Sequence, residues 1–132
     1  MFVDIGFRDA AVLDSVDKIS EEYFHTALCA GRYRAWLAED RNGSVVAGGG
    51  LVIADWPGFP GERYAKRAWI LNMYTQPVAR RQGLARRLLE TMVEWCRQEG
   101  FGSVSLHTSE FGRPLYESLG FAPTNEMRLT LR

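Results

Sequence analysis

The stretch Pro77 to Arg86 carries the residues of this chain best suited to hold a charged ligand. Arg80-Arg81-Gln82-Gly83-Leu84-Ala85 stands between an apolar run and an amphipathic one, where a strand would pass into a helix. The first N–H groups of a helix have no intrahelical partner and lie at the positive end of its dipole, so a turn wrapped around them can hold a diphosphate. Gly83 and the small Ala85 let anion oxygens approach the backbone, and Arg80 and Arg86 can add charge-assisted bonds. The plainer alternative is a helix start whose arginines are only solvated. Two familiar nucleotide loops do not fit: no Gly-Lys-Ser/Thr follows, as a Walker A loop needs, and Gly-x-Gly-x-x-Gly is absent.

Three further side chains have the chemistry for catalysis. His107 and Glu110 fall near the end of a strand-like run, where reactions in open α/β sheets concentrate. His107 fits a hydrogen-bonded structural role better than that of a proton acceptor, and Glu110 fits a solvated cap of the next helix. Cys96 sits on the apolar face of a helical run and reads as a packing residue rather than a nucleophile. His25 and His107 are far apart with no supporting Cys or acidic cluster, so no metal is expected.

The elements that must position these residues follow from periodicity. Val12, Val16, Ile19, Tyr23, Phe24 and Leu28 recur at helical spacing between Asp9 and Ala30, predicting one or two amphipathic helices. Tyr33 to Ala38 and Ser44 to Ala54 read as antiparallel strands joined by a turn carrying Asp40, Asn42 and Gly43. Pro57, Gly58, Pro60 and Gly61 make Asp55 to Lys66 a surface loop, expected to wall a substrate site. Ala68 to Thr75 is a strand closed by Pro77. Leu84, Leu88, Leu89, Met92, Val93 and Cys96 then mark the buried face of a long helix that Gly100 ends. Ser103 to Ser109 alternates like a strand, Pro114 to Leu119 gives a short helix ended by Gly120, and Met127 to Leu131 can form a last strand. Strand, long helix, strand implies a parallel crossover.

A chain of 132 residues, 46% hydrophobic, fits one α/β (α+β) domain spanning residues 1–132. Sixteen basic and sixteen acidic side chains cancel, leaving no overall field to draw nucleic acid or an anionic membrane. Cys29 and Cys96 form no disulfide framework, and the apolar runs are too short to span a bilayer, so a cytoplasmic protein is expected.

Ile70-Leu71-Asn72-Met73-Tyr74-Thr75-Gln76-Pro77 followed by Arg80-x-x-Gly83-x-Ala85 resembles the acetyl-CoA motif of the GNAT N-acetyltransferases, and Leu115-Tyr116-Glu117-Ser118-Leu119-Gly120-Phe121 resembles that family's Leu-Tyr-x-x-x-Gly-Phe segment. The resemblance runs from about Tyr33 to the C-terminus. It implies a central mixed, mostly antiparallel sheet with flanking helices, splayed between the family's fourth and fifth strands, here Trp69 to Thr75 and Ser103 to Thr108. The pantetheine arm of acetyl-CoA would enter the gap and pair with backbone groups of Met73 and Thr75 as an added strand would, with Tyr74 between them. Arg80, Arg81, Gln82, Gly83, Leu84, Ala85 and Arg86 would hold the phosphates. Ser109 stands where many relatives carry an Asn that touches the cofactor. Tyr116 takes the place of the residue that protonates the departing thiolate; its alternative is packing against Leu115 and Leu119.

The chain also departs from the family. No strand-like segment precedes Asp4 to Phe7, so the family's first strand is absent, supplied by another chain, or encoded upstream of Met1. An open sheet edge would favour a compensating arrangement such as a homodimer. The implied activity is direct transfer of an acetyl group to an amine of a small molecule or peptide, with no partner among nucleic acids or membranes. The alternative is a catalytically silent acyl-CoA-binding sensor or scaffold. Trp56, Phe59, Trp69, Tyr33 and Trp36 either line an acceptor cleft or pack in the core.

Overall fold

Asp9 opens the first helix by accepting hydrogen bonds from the N–H groups of Ala11 and Val12 through its side chain. The computed structural model describes residues 1–131. From that cap, α1 runs over Ala10–Cys29 as one helix. β1 (Tyr33–Glu39) and β2 (Val45–Asp55) form the expected antiparallel hairpin. Its turn is held by the Asp40 carboxylate, which accepts from the N–H groups of Asn42 and Ser44 at 2.8 and 3.0 Å. β3 (Lys66–Thr75) is followed by a short 3-10 turn at Pro77–Ala79, then by α2 (Leu84–Glu99), β4 (Val104–Leu106) and α3 (Arg113–Ser118).

The sheet has four strands in the order β1-β2-β3-β4. β1 to β3 are antiparallel, and β4 runs parallel to β3 through the α2 crossover. One face packs on α2: Leu51, Ala68 and Ile70 of the sheet meet Leu89, Met92 and Cys96 of the helix, and all six are buried. The apolar stripe of α2 thus lies where its spacing put it. Trp95 extends the contact by packing edge-on against Trp36.

The other face is covered by α1, and here the periodicity misled. Ala27 is the buried residue of that helix, Leu13, Val16 and Phe24 are half-buried, and Val12, Ile19 and Leu28 are exposed. An apolar groove of about 920 Å³ separates the helix from the sheet.

Three more expectations need correction. Met127 to Leu131 forms no strand; the segment has no regular structure, with Met127, Leu129 and Leu131 left 94%, 82% and 88% exposed because no strand lies beside it. The strand expected over Ser103 to Ser109 shrinks to Val104–Leu106, since pairing with β3 stops at Leu106. The loop after Asp55 packs at the far end of the sheet from the arginine-rich turn: Glu62 accepts from the Gly102 N–H and the Ser103 hydroxyl beside the α2–β4 connection. It walls no cleft near that turn. Residues 2–6 form turns, not a strand, so β1 is an outer strand of the sheet.

Candidate active site

The site is built around a fault in β3. Gly48 pairs with Tyr74 and Gly50 with Leu71, so Gly49 faces both Asn72 and Met73. Two residues opposite one make a bulge, which bends the strand and re-aims its side chains. Asn72 absorbs the distortion with φ of 57°, a conformation Asn tolerates better than most residues. Its amide donates to the Tyr33 hydroxyl at 3.2 Å. Tyr33 reaches it only because Gly50 has no side chain: a Cβ there would lie 1.9 Å from the hydroxyl oxygen.

Beyond the pair Ile70–Leu106, β3 and β4 part. The gap is a cavity of about 400 Å³. Met73, Tyr74 and Thr75 line it from β3, Ala85 from α2, His107 and Ser109 from the stretch after β4, and Tyr116 from α3. Six positions singled out as cofactor-binding or catalytic, scattered between residues 73 and 116, therefore meet around one cleft.

The arginine-rich turn follows β3 directly. Arg80 donates through Nε to the Thr75 carbonyl at 3.0 Å, Arg81 takes φ of 60°, and Gly83 takes φ of 79° just before α2. No side chain caps α2, no acid lies in its first turn, and nothing stands within 4 Å of where a Gly83 Cβ would be. The helix start is therefore an open, electropositive surface. Arg86 is less free than the spacing implied, since it donates to the Ser118 hydroxyl at 2.6 Å and lies 3.7 Å from Glu90. Gln82 and Leu84 complete the turn; Gln82 is exposed and Leu84 half-buried.

Ser109 accepts from the Gly112 N–H at 3.2 Å and so braces the turn into α3. Tyr116 packs edge-on against Phe121, and burial raises the pKa of its phenol, so the proton is held more firmly than in water. Cys96, walled into the core, has its thiol pushed up to about 11, which suits packing and not nucleophilic attack. Glu110 is a solvated residue paired with Arg113 at 3.7 Å. The aromatic residues offered as one acceptor cleft are dispersed: Trp36 faces α2, Tyr33 packs on Phe24 of α1, and Trp56 lies under Arg67.

Two partnerships had no local signal in the sequence. Asp4 folds back onto the turn, accepting from the Tyr74 hydroxyl and lying 3.9 Å from Arg80. The Asp4 bond is the main reason the Tyr74 pKa is raised. Glu126 lies 2.5 Å from His107 Nε2, although 19 residues separate them in the chain. Among the described residues, no group of three or more His, Cys, Asp and Glu side chains gathers as metal ligands.

A strand splayed from its parallel neighbour, ahead of an open helix start, matches what the motif resemblance implies. The profile of the acetyltransferase (GNAT) family matches residues 7–121. The chain belongs to that family. A GNAT structure from Ralstonia eutropha JMP134 superposes with a TM-score of 0.86 at 32% identity, covering 99% of this chain and 85% of that one. A predicted acetyltransferase from Clostridium acetobutylicum, solved with acetyl-CoA, gives 0.86 at 28%, covering 98% and 82%. Human N-acetyltransferase 8 is 31% identical over 94 residues, which is 69% of this GNAT chain and 39% of that protein. The chain thus spans well under two thirds of that curated relative. No helix of this GNAT chain, among the described residues, is long and apolar enough to cross a membrane.

Proposed function

We propose that this GNAT chain is a single N-acetyltransferase domain that transfers an acetyl group from acetyl-CoA to a primary amine of a small molecule or peptide. The observation that carries the reading is the cleft of about 400 Å³ between β3 and the chain after β4, with Tyr116 on its wall and Ala85 of the uncapped α2 start at its edge. Those features fit the group: open space over Gly83 suits a diphosphate, and the backbone of β3 past Ile70, open on its β4 side, suits an extended amide-bearing arm. When bound, acetyl-CoA supplies a thioester whose carbonyl carbon accepts the amine. Met73 and Thr75 orient the arm through backbone groups that β3 already holds in place, so little ordering entropy is lost on binding. The turn from Arg80 to Arg86 neutralises phosphate charge. Tyr116 gives its proton to the departing sulfur, since a phenol with a raised pKa remains protonated at neutral pH.

We infer a cytoplasmic protein. We further expect a homodimer, because the outer edges of β1 and β4 and the apolar tail residues of this chain lack partners among the described residues. The deciding experiment is release of free CoA from acetyl-CoA across amines, aminoglycosides, polyamines, amino acids and peptide N-termini. Turnover with any class supports the transferase. Tight acetyl-CoA binding with no turnover on the whole panel would instead favour a silent acyl-CoA sensor.

A further inference from the structure

We propose that His107 is the base that takes the proton from the acceptor amine, with Glu126 as the residue that holds it in its working tautomer. The proposal rests on the transferase reading above. His107 directly follows Leu106, the last residue of β4 paired with β3, so it stands where the two strands part. It lines the same cleft as Asn72 and Tyr116. Its ring is held on two sides: Nε2 lies 2.5 Å from the Glu126 carboxylate, and the Trp69 indole lies 5.0 Å away at an inclination of 50°.

This geometry selects a protonation pattern. An ionised carboxylate only accepts, so in the neutral imidazole Nε2 carries the hydrogen and Nδ1 keeps the lone pair. Nδ1 has no hydrogen-bond partner among the described residues, and the His107 side chain is 49% exposed, so an acceptor amine can reach that nitrogen. Three other polar side chains that face the cleft are already engaged. Asn72 bonds Tyr33, Tyr74 donates to Asp4, and Tyr116 is held protonated by burial. The charged and titratable groups around His107 are Glu126 and Arg128 on the C-terminal segment, Tyr116, Arg113 and Glu117 on α3, and Tyr74 on β3.

The step balances. As the amine nitrogen forms its bond to the acetyl carbon, Nδ1 takes the nitrogen's proton; the C–S bond breaks and the sulfur takes a proton from Tyr116. Exchange with water then removes one proton from His107 and returns one to Tyr116.

The test uses the full chain with the best amine found in the CoA-release screen. His107→Gln should lower kcat by about a hundredfold or more while acetyl-CoA affinity, measured by calorimetry, stays unchanged. Its rate should climb steadily with pH, because hydroxide must then take the proton of the attacking nitrogen, and added imidazole should restore part of the loss. Glu126→Gln should cost less, about tenfold, with Glu126→Asp recovering part of it. In the free protein, imidazole nitrogen shifts should report the Nε2–H tautomer of His107 in wild type and its loss in Glu126→Gln. Folded His107→Gln with wild-type kcat and pH profile, or a wild-type Nδ1–H tautomer, would overturn the assignment of His107 alone. Wild-type protein that turns over no amine would overturn the transferase reading, and this proposal with it.

Discussion

At Gly83 and at Asp4 the same question of charge can be put to single residues. Gly83 has φ of 79° and open space where a Cβ would go. Asp and Asn both tolerate that conformation, so Gly83→Asp and Gly83→Asn should fold alike and differ only in charge. The Asp variant should bind acetyl-CoA at least about tenfold more weakly than the Asn variant, by calorimetry, because its carboxylate faces the diphosphate. Equal affinities would remove the phosphates from this turn. Asp4 already brings a carboxylate to Arg80. An exposed pair of this kind is worth about 1 kcal/mol or less, so Asp4→Asn should tighten acetyl-CoA binding by up to about fivefold. Tyr116→Phe keeps the ring against Phe121 and deletes the proton. Its kcat should fall by about ten- to a thousandfold with cofactor affinity unchanged; a wild-type rate with chemistry limiting would make Tyr116 a packing residue.

Among the elements, the bulge of β3 depends on the glycines of β2 opposite it. Gly50→Ala would drive a methyl group into the Tyr33 hydroxyl, displacing that ring and its bond to Asn72. Overpacking of this sort costs about 1–3 kcal/mol, to be read as a lower urea midpoint with little change in slope. No shift would mean that Tyr33 does not lock the bulge. The run Gly48-Gly49-Gly50 was visible in the sequence as part of a strand, yet its purpose was not, because it lies in the cross-strand partners. α2 was legible almost residue by residue, since one helix face against one sheet face repeats every turn. α1 was not: it shares its apolar side with the wide groove, so spacing alone could not say which residues touch the sheet.

For the whole molecule, β1 and β4 are the outer strands, and the tail carries Met127, Leu129 and Leu131 on alternate positions with nothing over them among the described residues. Open strand edges and exposed apolar side chains favour association. Light scattering should give twice the chain mass at micromolar concentration, and replacing those three residues with Ser should shift the equilibrium to monomer. A protein that stays monomeric at high concentration would refute the dimer.

The segments proposed to hold the cofactor and to react were readable as local structure from the chain alone. Arg80 to Ala85, the helix that follows and Tyr116 in its motif all owe their form to neighbours within a turn or two, and short-range spacing encodes such arrangements. The family resemblance rested on those same segments. What required the folded molecule was each relation between segments far apart: Asn72 to Tyr33, Asp4 to Arg80, and Glu126 to His107. No periodicity records a contact of that kind, because it is decided by where packing brings two distant stretches of chain. His107 shows the consequence most directly, since alone it reads as a structural histidine, and the carboxylate that changes the reading comes from Glu126, just ahead of the segment expected to be a strand.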